Sequence, residues 1–70
     1  MLKVELARRA LRWSQDKTAK RSGFSQPEIS MLERGLLRPP PERLKRLARA
    51  LGVPAETLLS EVQVVEHAAR

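Results

Sequence analysis

Residues 13–35 read Trp13-Ser14-Gln15-Asp16-Lys17-Thr18-Ala19-Lys20-Arg21-Ser22-Gly23-Phe24-Ser25-Gln26-Pro27-Glu28-Ile29-Ser30-Met31-Leu32-Glu33-Arg34-Gly35. Two helix starts and one sharp break fall inside this stretch, and their spacing decides the fold. Ser14 is a good N-cap for a helix over Gln15 to Arg21, and Asp16 is favoured near that helix's positive end. Ser22-Gly23-Phe24 interrupts the pattern, because Gly23 can take the left-handed conformation that ends a helix. Ser25-Gln26-Pro27-Glu28 then spells a capping box: Ser25 accepts from the Glu28 amide, and Glu28 reaches back to the Ser25 amide. Pro27 lies in the first turn, where its missing N–H costs nothing. The second helix of the pair runs from Gln26 to Arg34, with Ile29 and Leu32 inward and Gly35 closing it.

On the N-terminal side, a helix over Leu2 to Leu11 sets Val4, Ala7 and Leu11 at i, i+3, i+7 as an inward stripe. On the C-terminal side, the loop Leu36 to Pro40 leads into a helix over Pro41 to Leu51, with Pro41 at its first position. Leu44, Leu47, Ala48 and Leu51 make its inward stripe, while Arg43, Lys45, Arg46 and Arg49 cover the other faces. Gly52 ends it, and Val53-Pro54 opens a short fifth helix, Ala55 to Ser60, that buries Leu58. The expectation is an all-α, five-helix domain over residues 1–60. In the tail, residues 61–70, Val62, Val64 and Val65 fit a continued helix or a short strand that pairs across a dimer.

Seventy residues make one domain, and a chain this short buries only about 60% of its unfolded surface. With no cysteine it has no disulfide and no thiolate metal site, so tight helix packing or oligomerisation must supply stability. The apolar runs are far shorter than the ~20 residues that cross a bilayer. The start, Met1-Leu2-Lys3-Val4-Glu5, lacks the apolar core of a secretory signal, which favours a cytoplasmic protein. The net charge of +6 is uneven: residues 1–55 carry thirteen Lys and Arg against five acids, and the rest is mildly acidic. A basic body suits a polyanionic partner, and ten arginines suit phosphate forks. Catalysis finds no support in one His (His67), one Asp, no Cys and no Tyr, so neither metal nor cofactor is expected.

Two short helices joined by a turn at Gly23, with small Ala19 four residues earlier where the helices cross, follow the logic of a helix-turn-helix at about 15–34. The stretch from Trp13 to Gly35 resembles the Cro/Xre-type, lambda-repressor-like helix-turn-helix family. The likeness continues through Pro39 and Leu-Lys-Arg-Leu-Ala-Arg-Ala-Leu-Gly-Val, residues 44–53, so that it spans Val4 to Leu59. It implies a compact five-helix fold and sequence-specific binding of double-stranded DNA. It also implies a homodimer on a two-fold symmetric operator and a repressor's role in transcription.

Carried over by position, Gln26, Pro27, Ser30 and Met31 face the bases, while Gln15, Lys17, Ser25, Arg34 and Arg38 approach the backbone. By its own chemistry, Gln26 can present an amide to the N6/N7 edge of adenine, a contact worth ~1–3 kcal/mol of discrimination. Ser30 can bond a base edge or a phosphate. Met31 can meet a thymine methyl or belong to the core. For Lys17, Lys20, Arg21, Arg38 and Arg43, phosphate contact competes with plain solvation. The resemblance also makes Arg8 and Glu33 a partly buried ion pair between the first and third helices, a scaffold role.

Three departures from the family pattern stand out. Thr18 replaces a common leucine, so the second helix is expected to be less firmly anchored. Pro27 removes a donor from a groove position. Leu36 and Leu37 replace polar or basic residues, with Leu36 assigned to the core and Leu37 to a dimer patch. Two rival readings follow: a protein-interaction module, such as an antitoxin or an adaptor that keeps the fold, and a single-strand or RNA binder. The second lacks aromatic platforms, since Trp13 and Phe24 both fall at core positions.

Overall fold

The computed structural model describes residues 3–58. Four helices follow one another, α1 (Lys3–Ala10), α2 (Gln15–Ser22), α3 (Gln26–Glu33) and α4 (Pro41–Leu51), and residues 55–58 form the described part of a fifth, α5. Every regular element among the described residues is helical, as the periodicity requires. Residues 59 and 60 of the expected fifth helix, and the 61–70 tail with its valines and His67, lie outside the described residues.

The core forms where these short helices cross. Ile29 of α3, Leu44 and Leu47 of α4 and Leu58 of α5 are sealed from solvent, joined by Val4, Leu32, Ala48 and Leu51. α2 packs on both α3 and α4, and α1 packs on α3. Ala19 is buried at the α2 crossing, as its size predicts, and Phe24 is buried beside it. Trp13 is half-buried against the cluster.

Capping follows the sequence closely. Ser14 Oγ accepts from the Lys17 N–H at 3.0 Å, and Gly23 ends α2 with φ 79°. In α3 both halves of the capping box are present: the Glu28 N–H donates to Ser25 Oγ at 3.2 Å, and the Ser25 N–H donates to Glu28 Oε1 at 2.9 Å. α3 ends one residue short of expectation, with Arg34 as its C-cap.

Three expectations are corrected. Leu11 is 42% exposed rather than inward. α1 stops at Ala10, and Arg12 takes a left-handed φ of 60°, which reverses the chain and leaves Leu11 outside. Leu36 is 67% exposed, whereas Leu37 packs against the core, the opposite of their assignment. The Leu36 N–H closes onto Met31 O at 2.8 Å as the chain leaves α3, and it is Leu37 and buried Pro39 that fold inward. Thr18 does not loosen α2: it is fully buried, with its hydroxyl donating to Ser14 O at 2.9 Å. Ser22 Oγ in turn donates to Thr18 O at 2.7 Å, so both buried hydroxyls are satisfied within α2 and its N-cap, where the family commonly has a leucine.

Candidate nucleic-acid interface

α3 has one sealed side and one open side. Ile29 and Leu32 face the core, whereas Gln26, Pro27 and Arg34 are exposed and Ser30 and Met31 are half-exposed. The four residues expected to face bases therefore share accessible surface on a helix anchored from behind.

At the C-terminal end of α3, Glu33 is gripped by Arg8 of α1. Arg8 Nε donates to Glu33 Oε2 at 2.6 Å, and its second amine donates to Oε1 at 3.1 Å. The two side chains are 11% and 4% exposed, so the expected ion pair is present and buried. The third guanidinium nitrogen donates to Trp13 O at 2.9 Å, which ties the loop after α1 to the same group. The hydrogen bond to Glu33 raises the Arg8 pKa further above its ordinary value, against a smaller opposing effect of burial.

From Glu33 a directional chain of hydrogen bonds runs to the surface. Gln15 Nε2 donates to Glu33 Oε1 at 3.0 Å, and Gln26 Nε2 donates to Gln15 Oε1 at 2.8 Å. A carboxylate only accepts, so Gln15 must turn its amide nitrogen toward Glu33 and its oxygen toward Gln26. Gln26 must then offer a hydrogen of its own amide nitrogen. Its carbonyl oxygen and its other N–H are left for an outside partner. That pairing of one acceptor and one donor is what the adenine edge requires. Gln15, expected to reach a phosphate, is here the middle member of this chain.

The remaining expected contacts come from α2, the start of α3 and the residues after it. Lys17 and Arg21, one turn apart on α2, lie 5.5 and 5.8 Å from the centroid of the Trp13 ring, a cation–π bracket on a half-buried indole. Lys20 pairs with Asp16 at 3.2 Å, both well exposed. Ser25 is committed to the α3 cap, while Arg34 and Arg38 are exposed after it.

Arg43 stands apart from these solvent-facing cations. Its two terminal amines donate to Glu28 Oε2 at 2.9 Å and Oε1 at 3.0 Å, and one also reaches Gly23 O at 3.3 Å. The guanidinium lies 4.0 Å from the Phe24 centroid. Hydrogen bonds from Arg43 first, and from the Ser25 backbone second, hold the Glu28 carboxyl down to about 2. Sequence reasoning placed Arg43 among phosphate candidates. The i, i+15 pairing with Glu28 carries no local periodicity that could have revealed it.

No cluster of three His, Cys, Asp or Glu side chains able to hold a metal occurs among the described residues, and no helix there is long and apolar enough to cross a membrane. Residues 4–58 match the helix-turn-helix family model. The chain is 44% identical over 48 residues to two proteins of Mycobacterium tuberculosis, one from strain CDC 1551 / Oshkosh and one from strain ATCC 25618 / H37Rv. Both bear the name "Uncharacterized HTH-type transcriptional regulator". The matched region covers 69% of this chain but 34% of each relative, so the chain spans about a third of their length. No solved structure gives a significant match. With the family model covering most of its length and the helices arranged as that family requires, the chain belongs to the Cro/Xre-type helix-turn-helix family.

Proposed function

We propose that this chain binds double-stranded DNA sequence-specifically, with α3 in the major groove, and regulates transcription. The observation that carries the reading is the fixed presentation of Gln26. Its amide is oriented through Gln15 by a buried carboxylate, and it stands on the open side of α3 with Pro27, Ser30 and Met31. A preset amide loses little freedom on meeting a base, so more of the contact energy appears as discrimination. Lys17, Arg34 and Arg38 are exposed, as is Ser25 at the start of α3, and suit the flanking phosphates.

The names of the M. tuberculosis relatives support a regulatory role. Repression is its simplest form, since a bound module excludes other proteins from the base pairs it covers. The work would be done in the cytoplasm. A homodimer on a two-fold operator fits the exposed Leu36, an apolar side chain directly after the recognition helix. The same exposed leucine favours the second reading, an antitoxin or adaptor in which this surface holds a protein partner.

In vitro selection from random duplex tests the proposal. The expected result is a symmetric consensus with half-sites about one helical turn apart. Gln26→Ala together with Ser30→Ala is expected to abolish preference at the central bases of each half-site. Recovery of no consensus, or a double variant with unchanged preference, would overturn it.

A further inference from the structure

We propose that Arg43 is a positioning residue for duplex recognition, setting which bases Gln26 and Pro27 meet without itself touching DNA; this rests on the groove-binding reading above. Arg43 springs from the first turn of α4, a helix whose Leu44 and Leu47 are sealed in the core, so its origin is fixed. From there one guanidinium meets three parts of the turn and helix that follow α2. It donates to Gly23 O, lies over the Phe24 ring, and takes both oxygens of Glu28. Through Glu28 it also reaches Ser25, whose N–H the same carboxylate accepts. Gln26 and Pro27 are the two residues enclosed between Ser25 and Glu28. Their height and tilt over a groove are thus fixed from α4, while Gln15 fixes only the direction of the Gln26 amide.

A planar fork that bonds two oxygens and stacks on a ring is what arginine supplies and lysine does not. Arg43→Lys keeps the charge and loses that geometry, so it separates positioning from attraction to phosphate. Glu28→Gln is the complementary change. It removes the charge that Arg43 grips but keeps a side chain able to close the cap.

The experiment compares the full chain with Arg43→Lys, Glu28→Gln, the two combined, and Arg43→Gln. For each, affinity is measured for the selected duplex and for duplexes altered at the base pair assigned to Gln26, over a range of salt. Fluorescence of Trp13 confirms that each variant is folded at the assay temperature. If Arg43→Lys does not fold, Glu28→Gln carries the test alone.

Positioning predicts that the discrimination ratio falls about tenfold in Arg43→Lys and in Glu28→Gln. It falls no further in the combination, and the salt slope of Arg43→Gln equals that of the unaltered chain. A ratio that stays unchanged in the variants of a selective parent overturns this inference alone. So does uniform weakening by Arg43→Gln with a salt slope lower by about 0.9, the mark of a lost phosphate contact. A parent chain that binds all duplexes alike overturns the groove-binding reading and this inference with it.

Discussion

The two ends of α3 are held by the same device in opposite surroundings. At each end both oxygens of an α3 glutamate are taken by an arginine from another helix, Glu33 by Nε and one terminal amine of Arg8 of α1, Glu28 by both terminal amines of Arg43 of α4. The Glu33 pair is nearly sealed, at 11% and 4% exposure, whereas the Glu28 pair stands at 37% and 29%. Burial changes what the pair is worth. In the sealed pair the only other partners are neutral, Gln15 for Glu33 and Trp13 O for Arg8, and water cannot replace the lost charge. In the open pair water can, so loss of either partner shifts geometry more than it costs stability. The C-terminal pair therefore decides whether α3 is there, and the N-terminal pair decides where its first turn sits.

The largest effect expected from this contrast is at Arg8. Arg8→Ala strands the Glu33 carboxylate and also removes the donor to Trp13 O. A loss of about 3–5 kcal/mol is expected, a large share of the net stability of so small a domain. Urea unfolding followed by Trp13 fluorescence measures it. Replacing both partners with apolar residues, Arg8→Met with Glu33→Leu, sharpens the point, since most of that loss should return when no charge is left buried. A double variant as unstable as the single one would show that hydrogen-bond geometry, rather than the stranded charge, dominates.

Next in size is Gln15, the link between the sealed end and the open surface. Gln15→Ala leaves Glu33 one donor short and frees the Gln26 amide to rotate. A destabilisation of about 1–2 kcal/mol is expected by thermal unfolding. Discrimination by Gln26 should fall in the same variant, because the orientation set by the carboxylate no longer reaches it. Stability lost with discrimination intact would break the proposed connection between the two ends.

A smaller gain is expected from Arg12→Gly, in the loop that the Arg8 guanidinium ties down through Trp13. Arg12 is exposed with φ 60°, a conformation that costs a side-chain-bearing residue about 1–2 kcal/mol, part of which glycine returns as unfolded-chain entropy. A net stabilisation of about 0.5–1 kcal/mol should appear as a higher denaturant midpoint with an unchanged slope. Destabilisation would mean that the Arg12 side chain supports the sealed end after all.

Much of this arrangement was legible in the sequence, and the reason differs from part to part. Caps and turns at Ser14, Gly23, Ser25 and Glu28 are local chemistry, written in residues within four positions of each other, and all of them form. The α4 stripe is a long, regular period, and its bounds agree to the residue. Leu11 and Leu36 were misassigned because each sits where a helix ends, and there the period no longer says which way a side chain turns. The site residues on α3 follow from its stripe. The Gln26–Gln15–Glu33 chain and the Arg43 grip join residues far apart in sequence, and only packing shows which donors find which acceptors.

The finest test of the contrast is pH, and it acts on the open end. Glu28 titrates at about 2 in the folded chain against an ordinary 4.5, held down chiefly by its hydrogen bonds from Arg43. Since the folded value is the lower one, the pair stabilises fully above 4.5, and its contribution fades as pH falls from there toward 2. Glu28→Gln has no such carboxyl. The stability gap between the two chains should stay constant from neutral pH down to about 5, then close with further acidification. Added salt should narrow the gap at neutral pH, because the exposed pair is screened. A gap that is flat from pH 7 to pH 3 and indifferent to salt would mean that the charge of Glu28 contributes nothing to stability, and the two ends of α3 would then differ in kind rather than in exposure.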